Sequence, residues 1–227
     1  MVAYVHGGAW MRGDKSEAAI LAATMTAQGY LVASINYRLY PSAKFPAMIE
    51  DVKCAIRFLR ANAAQYNLDP QRVGAVGVSA GGHLVALLGT AEQSAGWDVG
   101  EYLDQSSRVQ AVVAISAPTD LTRKFPNADQ DILAQAGPGQ DLAAASPITY
   151  VSPDDPPFLL IHGTRDELVP YEQAQLMYAR LLQANVPAQL VTVQNGNHAL
   201  SAPGGAATPT LPEIDQIIRN FLAKYLR

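Results

Sequence analysis

One serine in this sequence stands where a hydroxyl can be made into a nucleophile. In Gly77-Val78-Ser79-Ala80-Gly81 an apolar stretch gives way to small residues, with a glycine two positions to either side of the serine. At a tight strand-to-helix turn that spacing spares the backbone a clash and leaves the hydroxyl projecting. A helix starting there aims its N-terminal N–H groups at the same point and favours negative charge. A plain buried turn needs the same small residues, so the choice rests on whether the serine has partners elsewhere in the chain.

A serine hydroxyl attacks only when a base takes its proton. There are four histidines, His6, His83, His162 and His198. His6 and His162 end apolar stretches and precede glycine, the setting of a packed or hydrogen-bonded turn residue. His83 lies four residues beyond Ser79 on the same helix, with a fixed direction that reaches the hydroxyl poorly. His198, in Gly196-Asn197-His198, follows the last apolar stretch, in a loop from which a side chain can swing over the end of a sheet. It is the expected general base.

The imidazole in turn needs a carboxylate to hold its tautomer and balance its charge. The segment His162-Gly163-Thr164-Arg165-Asp166-Glu167 offers Asp166, with Glu167 as second choice. The order Ser79, Asp166, His198 is that of nucleophile-elbow enzymes rather than of the chymotrypsin or subtilisin arrangements. The oxyanion formed on attack needs preorganised N–H donors. His6-Gly7-Gly8-Ala9-Trp10 is expected to supply them from Gly8 and Ala9, with Gly7 shaping the turn and Ala80 adding its own N–H. Trp10 beside them is expected to touch substrate.

Elements that could carry these residues alternate along the whole chain. Apolar strand-like runs cover 2–7, 31–37, 72–79, 109–116, 158–163 and 188–194. They are continuous rather than alternating, as in a parallel sheet covered on both faces. Between them run helical patterns. Asp14 with Glu17 makes a capping box for a helix closed by Gly29. Pro46 opens another that places Ile49, Val52, Ile56 and Leu59 on one face. Leu84, Val85, Leu87 and Leu88 follow the serine, and Ile214, Ile217, Phe221 and Tyr225 mark the last helix. The spacing predicts an α/β fold with about six mostly parallel strands in a single domain over 1–227. Residues 117–157 interrupt the alternation and read as a lid-like insertion with a helical pattern at 129–136, and 201–211 read as a loop. Both are expected to build substrate walls.

Composition narrows the class. At 227 residues the chain can bury roughly three quarters of its unfolded surface. With 49% hydrophobic and 16% charged residues it is globular rather than disordered. The net charge of −4, without basic runs, argues against nucleic acid or an anionic membrane as partner. The lone Cys54 excludes an internal disulfide and reads as a small buried apolar side chain. With no signal-peptide pattern and no long apolar run, the expectation is a soluble cytoplasmic protein. The histidines form no metal-ligand pattern and no phosphate-binding glycine loop is present, so neither metal nor cofactor is implied.

Taken together these segments resemble the α/β-hydrolase fold, and within it esterases of the carboxylesterase, hormone-sensitive-lipase-like and feruloyl/acetyl-xylan-esterase group. The resemblance rests on His6 to Trp10, Asn36-Tyr37-Arg38-Leu39, Gly77 to Gly82, Ala145-Ser146-Pro147-Ile148-Thr149-Tyr150, and the segments around Asp166 and His198. It implies a serine carboxylesterase for short-chain acyl esters, with acetyl or feruloyl esters of plant polysaccharides as a natural class. Ala9, where a third glycine is common, resembles the feruloyl/acetyl branch. Ala199-Leu200 after the base departs from the usual Gly-Phe. Members of the group carry two strands before the His-Gly-Gly strand, on which this sequence begins. The resemblance therefore implies that 31–37 is a sheet edge, open to a homodimer. A peptidase of the prolyl-oligopeptidase type and a non-catalytic binding protein are the other readings, separated from the first by amide hydrolysis and by loss of a triad member.

Overall fold

The computed structural model describes residues 1–92, 95–125, 141–202 and 204–226. Six strands make one wholly parallel sheet: β1 Val2–Val5, β2 Val32–Ile35, β3 Gly74–Val78, β4 Ala111–Ile115, β5 Phe158–Gly163 and β6 Ala188–Val193, in the order β2-β1-β3-β4-β5-β6. Most strands are a residue or more shorter at their ends than the apolar runs suggested. The residues trimmed at carboxyl ends, among them His6, Gly7, Ser79 and Ser116, lead into the loops of the site.

Alternate residues along each strand feed two separate cores, because successive side chains leave opposite faces of a pleated strand. Ala3, Val5, Val112, Ala114, Phe158 and Leu160 pack beneath helices α2 Ala47–Ala61, α3 Ala80–Thr90 and α4 Glu172–Gln183. Val2, Tyr4, Ala111, Val113, Leu159 and Ile161 face α1 Ala19–Thr26 and α5 Leu211–Leu226. Both faces of the central strands are covered, which is why those strands read as unbroken apolar runs. The edge strands differ. In β2 only Ile35 is buried, and β6 alternates buried with half-buried or exposed residues.

Three helices correct the sequence reading in detail. The capping box forms, with Ser16 N–H donating to Asp14 Oδ1 and Asp14 N–H to Glu17, but it opens a short 3-10 helix, Lys15–Ala18, before α1. In α2 the expected stripe of Ile49, Val52, Ile56 and Leu59 is buried, while Cys54 is only half-buried. In α5 the buried face runs through Ile214, Ile218, Phe221, Leu222 and Leu226, leaving Ile217 and Tyr225 at its margin. The helical pattern expected over 129–136 lies outside the described residues. No helix among the described residues is long and apolar enough to cross a membrane.

Strand order places the site. From β1 the chain moves outward to β2, then crosses back over β1 to β3 and continues the other way. The carboxyl ends of β1 and β3 therefore flank a crevice at the point where the winding reverses, the usual ligand position in such sheets.

Candidate active site

Ser79 is the residue between β3 and α3, held at φ 55° and ψ −120°. A non-glycine residue with positive φ is strained, and persists only where its surroundings over-determine it. Here Ser79 N–H donates to Ile115 O of β4 at 2.8 Å, and Ser79 O accepts from His83 N–H at 2.9 Å. The flanking glycines allow the close packing. A Cβ on Gly77 would overlap the Gly81 carbonyl, and one on Gly81 would overlap the carbonyls of Val5 and His6.

His198 Nε2 lies 2.9 Å from Ser79 Oγ, and its Nδ1 lies 2.7 Å from Asp166 Oδ2. A carboxylate only accepts, so Nδ1 carries the ring proton and Nε2 is left bare toward the hydroxyl. The imidazole is 24% exposed and the Asp166 side chain is fully enclosed. Glu167, the second choice, points to solvent. Burial works to raise the Asp166 pKa, but hydrogen bonds outweigh it and hold the carboxyl well below its ordinary range. His162 Nε2–H donates to Oδ2 at 3.2 Å, His198 donates to the same oxygen, and the N–H groups of Leu168 and Val169 donate to Oδ1.

Across the crevice, Gly8, Ala9 and Trp10 follow one another at φ 105°, 52° and 58°. This run of left-handed residues folds the loop back, with Gly8 O accepting from the N–H groups of Met11 and Arg12. Gly7 packs against Ser79: a Cβ there would lie 3.4 Å from the serine Cβ. The N–H groups of Gly8, Ala9 and Ala80 find no backbone acceptor among the described residues. Trp10 is placed otherwise than expected. It is 5% exposed, packed in the larger core, and its indole N–H donates to His83 Nδ1 at 3.2 Å. The physical reason is ordinary: a large ring with one donor buries well where an acceptor meets it.

The remaining histidines are accounted for. His6 Nδ1 is 2.8 Å from Gly7 O, with its ring stacked on Tyr37, and His162 Nε2 also donates to Val169 O at 2.8 Å. An open depression beside His198 is lined by Arg165, Glu167, Leu168, Asn195, Asn197 and Ala199. Chemically, the arrangement offers a hydroxyl with a base in line, a carboxylate behind the base and unspent N–H donors near the hydroxyl. That set suits attack on an acyl carbon.

A BD-FAE family model matches residues 1–181 of this sequence. The chain belongs to the BD-FAE family. This BD-FAE chain is 31% identical over 96% of its length to the probable carboxylic ester hydrolase LipM of Mycobacterium tuberculosis, covering 54% of that protein. It spans about half the length of the curated relatives it matches. Among solved structures, a truncated form of a carbohydrate esterase from gut microbiota superposes with a TM-score of 0.84 at 30% identity, covering 99% of this chain and 85% of that one. The butyrate-bound thermophilic esterase Est2 of Thermogutta terrifontis gives a TM-score of 0.83 at 25% identity, over 98% and 82% of the two chains. The sheet and its helices are those of the α/β-hydrolase fold.

Two residues that hold the BD-FAE site in shape, Asn197 and Ser116, were not singled out from the sequence. The His198 loop is pinned rather than free to swing. Asn197 Oδ1 accepts from Ala199 N–H, Ser201 N–H and Ser201 Oγ–H, while Ser116 Oγ–H donates to His198 O at 3.0 Å. The asparagine beside the histidine was a faint signal, since its side chain commonly closes such turns. Ser116, at φ 48° just after β4, carried none.

Proposed function

We propose that this chain hydrolyses carboxylic esters through an acyl-enzyme on Ser79. The observation that carries the reading is the unbroken line from Ser79 Oγ through the His198 ring to a buried, ionised Asp166. In the first half-reaction Ser79 Oγ bonds to the ester carbonyl carbon while its proton passes to His198 Nε2. The carbonyl oxygen, now negative, is met by the N–H groups of Gly8, Ala9 and Ala80. Collapse expels the alcohol, which takes the proton back from Nε2–H. Water then repeats the sequence on the acyl-serine, releasing the acid and restoring Ser79. Asp166 keeps the ring oriented and balances the imidazolium without itself taking the proton.

We read the substrates as short-chain acyl esters, with acetyl or feruloyl esters of plant polysaccharides as the natural class. The carbohydrate-esterase and butyrate-bound neighbours support this reading. The described parts of 117–157 and of 201–211 are the walls we assign to the acyl and alcohol sides. The test is the initial rate on p-nitrophenyl acetate, butyrate and decanoate. Wild type should prefer the two short esters, and Ser79→Ala should fall to background. Equal rates in both proteins would remove Ser79 from the chemistry.

A further inference from the structure

The N–H donors assigned to the oxyanion come from two places far apart in sequence. Gly8 and Ala9 lie on the loop after β1, while Ala80 is the first residue of α3. Their spacing decides whether both can meet one oxygen, because oxyanion donors act only within normal hydrogen-bond reach. The loop is held by Gly8 O within itself, by Tyr37 Oη–H donating to His6 O at 3.1 Å, and by Tyr40 N–H donating to Trp10 O at 3.0 Å. Its first residues pack on the site, Gly7 against Ser79 and the carbonyls of Val5 and His6 against Gly81 of α3, but none of these hydrogen bonds reaches that helix. The indole N–H of Trp10 does, donating to Nδ1 of His83 at 3.2 Å, with the rings edge to face at 5.2 Å. His83 in turn sits one turn along α3 from the nucleophile, its N–H on Ser79 O.

We propose that Trp10 and His83 form a positioning bridge that sets the separation of the two donor sets, and through it the stabilisation of the oxyanion, without touching substrate. The inference rests on the ester-hydrolase reading. The ring is committed to this task at both nitrogens. Ala145 O, 2.7 Å from Nε2, can only accept, so Nε2 carries the proton. The indole can only donate, so Nδ1 must be bare, and both partners demand the same neutral tautomer. A ring enclosed to 1% exposure, with Phe45 against it as well as Trp10, suits the uncharged form. Burial lowers the His83 pKa to about 4, the Ala145 contact opposing it only in part, so the bridge survives at neutral pH. Mere packing at this place would be met by an aliphatic side chain with no polar atoms to satisfy. The three left-handed residues beside it need this kind of over-determination.

The experiment compares Trp10→Phe, His83→Asn and His83→Gln with wild type in kcat, KM, affinity for phenylboronic acid and melting temperature. Phenylboronic acid forms a tetrahedral adduct on the serine and so reports the oxyanion donors apart from ester turnover. Trp10→Phe keeps the ring and deletes the donor. It should lower kcat by about 10- to 100-fold, less than outright loss of an oxyanion donor, with KM within about twofold and boronate affinity falling in step with kcat. His83→Asn keeps an acceptor near the Nδ1 position and should recover most of the activity, whereas His83→Gln should not. That contrast stands even if Trp10→Phe is recovered unfolded. A lowered melting temperature with unchanged kcat and boronate affinity makes the pair simple packing and overturns the bridge. Equal losses in the Asn and Gln variants overturn it too. A folded wild type that turns over no ester removes the ester-hydrolase reading itself, and the bridge with it.

Discussion

Two buried aspartates show how surroundings, not residue type, set a carboxyl's behaviour. Asp166 is surrounded by four donors and stays ionised far into acid. Asp166→Asn should keep the fold and lower kcat by about 10⁴-fold, since an amide can present its N–H to His198 and favour the wrong tautomer. Near-normal turnover in steady-state assays would take Asp166 out of the mechanism. Asp155 accepts from the N–H and the hydroxyl of Ser152, and burial pushes its pKa up to about 6, with those hydrogen bonds, nearby Asp154 and Arg108 as lesser influences. Its folded pKa exceeds the unfolded one, so folding takes up a proton between them. This group therefore contributes nothing unfavourable below about pH 4, and an increasing cost as pH rises through 6. Asp166 has the opposite sign, its contribution present above the ordinary carboxylate range and lost as pH falls. Asp155→Asn should raise stability at pH 7 to 8 by about 1 kcal/mol and flatten the pH dependence between 4 and 7. Urea melts at several pH values would show it, and an unchanged profile would refute it.

At the scale of elements, α2 carries two cations into the interior. Lys53 and Arg57 are 2% and 1% exposed, and both meet Asp98, on the segment after α3, at 2.8 and 2.7 Å. Arg57 also donates to Val99 O and Glu101 O, and Arg60 to the carbonyls of Pro70, Ser106 and Arg108. These long side chains replace secondary structure as the support of the 95–108 connection, satisfying carbonyls that no strand or helix reaches. Removing the anion leaves two buried charges unpaired. Asp98→Ala should cost about 3–5 kcal/mol in denaturant melts, with kcat of the folded fraction unchanged. A loss below about 1 kcal/mol would show that water or neighbouring groups can replace the carboxylate.

At the scale of the whole molecule, the sheet ends on β2, a short strand with one buried residue. An unpaired edge presents N–H and C=O groups to another chain. We expect this 227-residue chain to associate through residues 31–37. Light scattering should give a mass rising toward a dimer at high micromolar concentration, and a constant monomer mass would exclude it. Just past the opposite edge strand, β6, Gln194 bridges Thr208 and ties the 204–210 segment to the end of the sheet that bears the site.

What the sequence determined by itself was local. Continuous apolar runs of strand length, separated by helical patterns, permit little but a parallel sheet covered on both sides. Glycines at 77 and 81 announce a turn too tight for side chains, and with it the position of Ser79. Elimination pointed to His198 as the candidate base, since three histidines sat in positions with other uses. What only the tertiary structure decided were contacts between distant residues. Ser79 and His198 are 119 positions apart, and Trp10 and His83 are 73 apart. No local pattern encodes which polar atom a buried N–H will find, because that depends on which loops the sheet brings side by side. For the same reason the sequence could only rank Asp166 ahead of Glu167: adjacent carboxylates look alike until one is enclosed and the other faces water. Trp10 looked like a substrate contact because it stands beside the donors. The fold turned it inward, where burying the ring and satisfying its single N–H were achieved together.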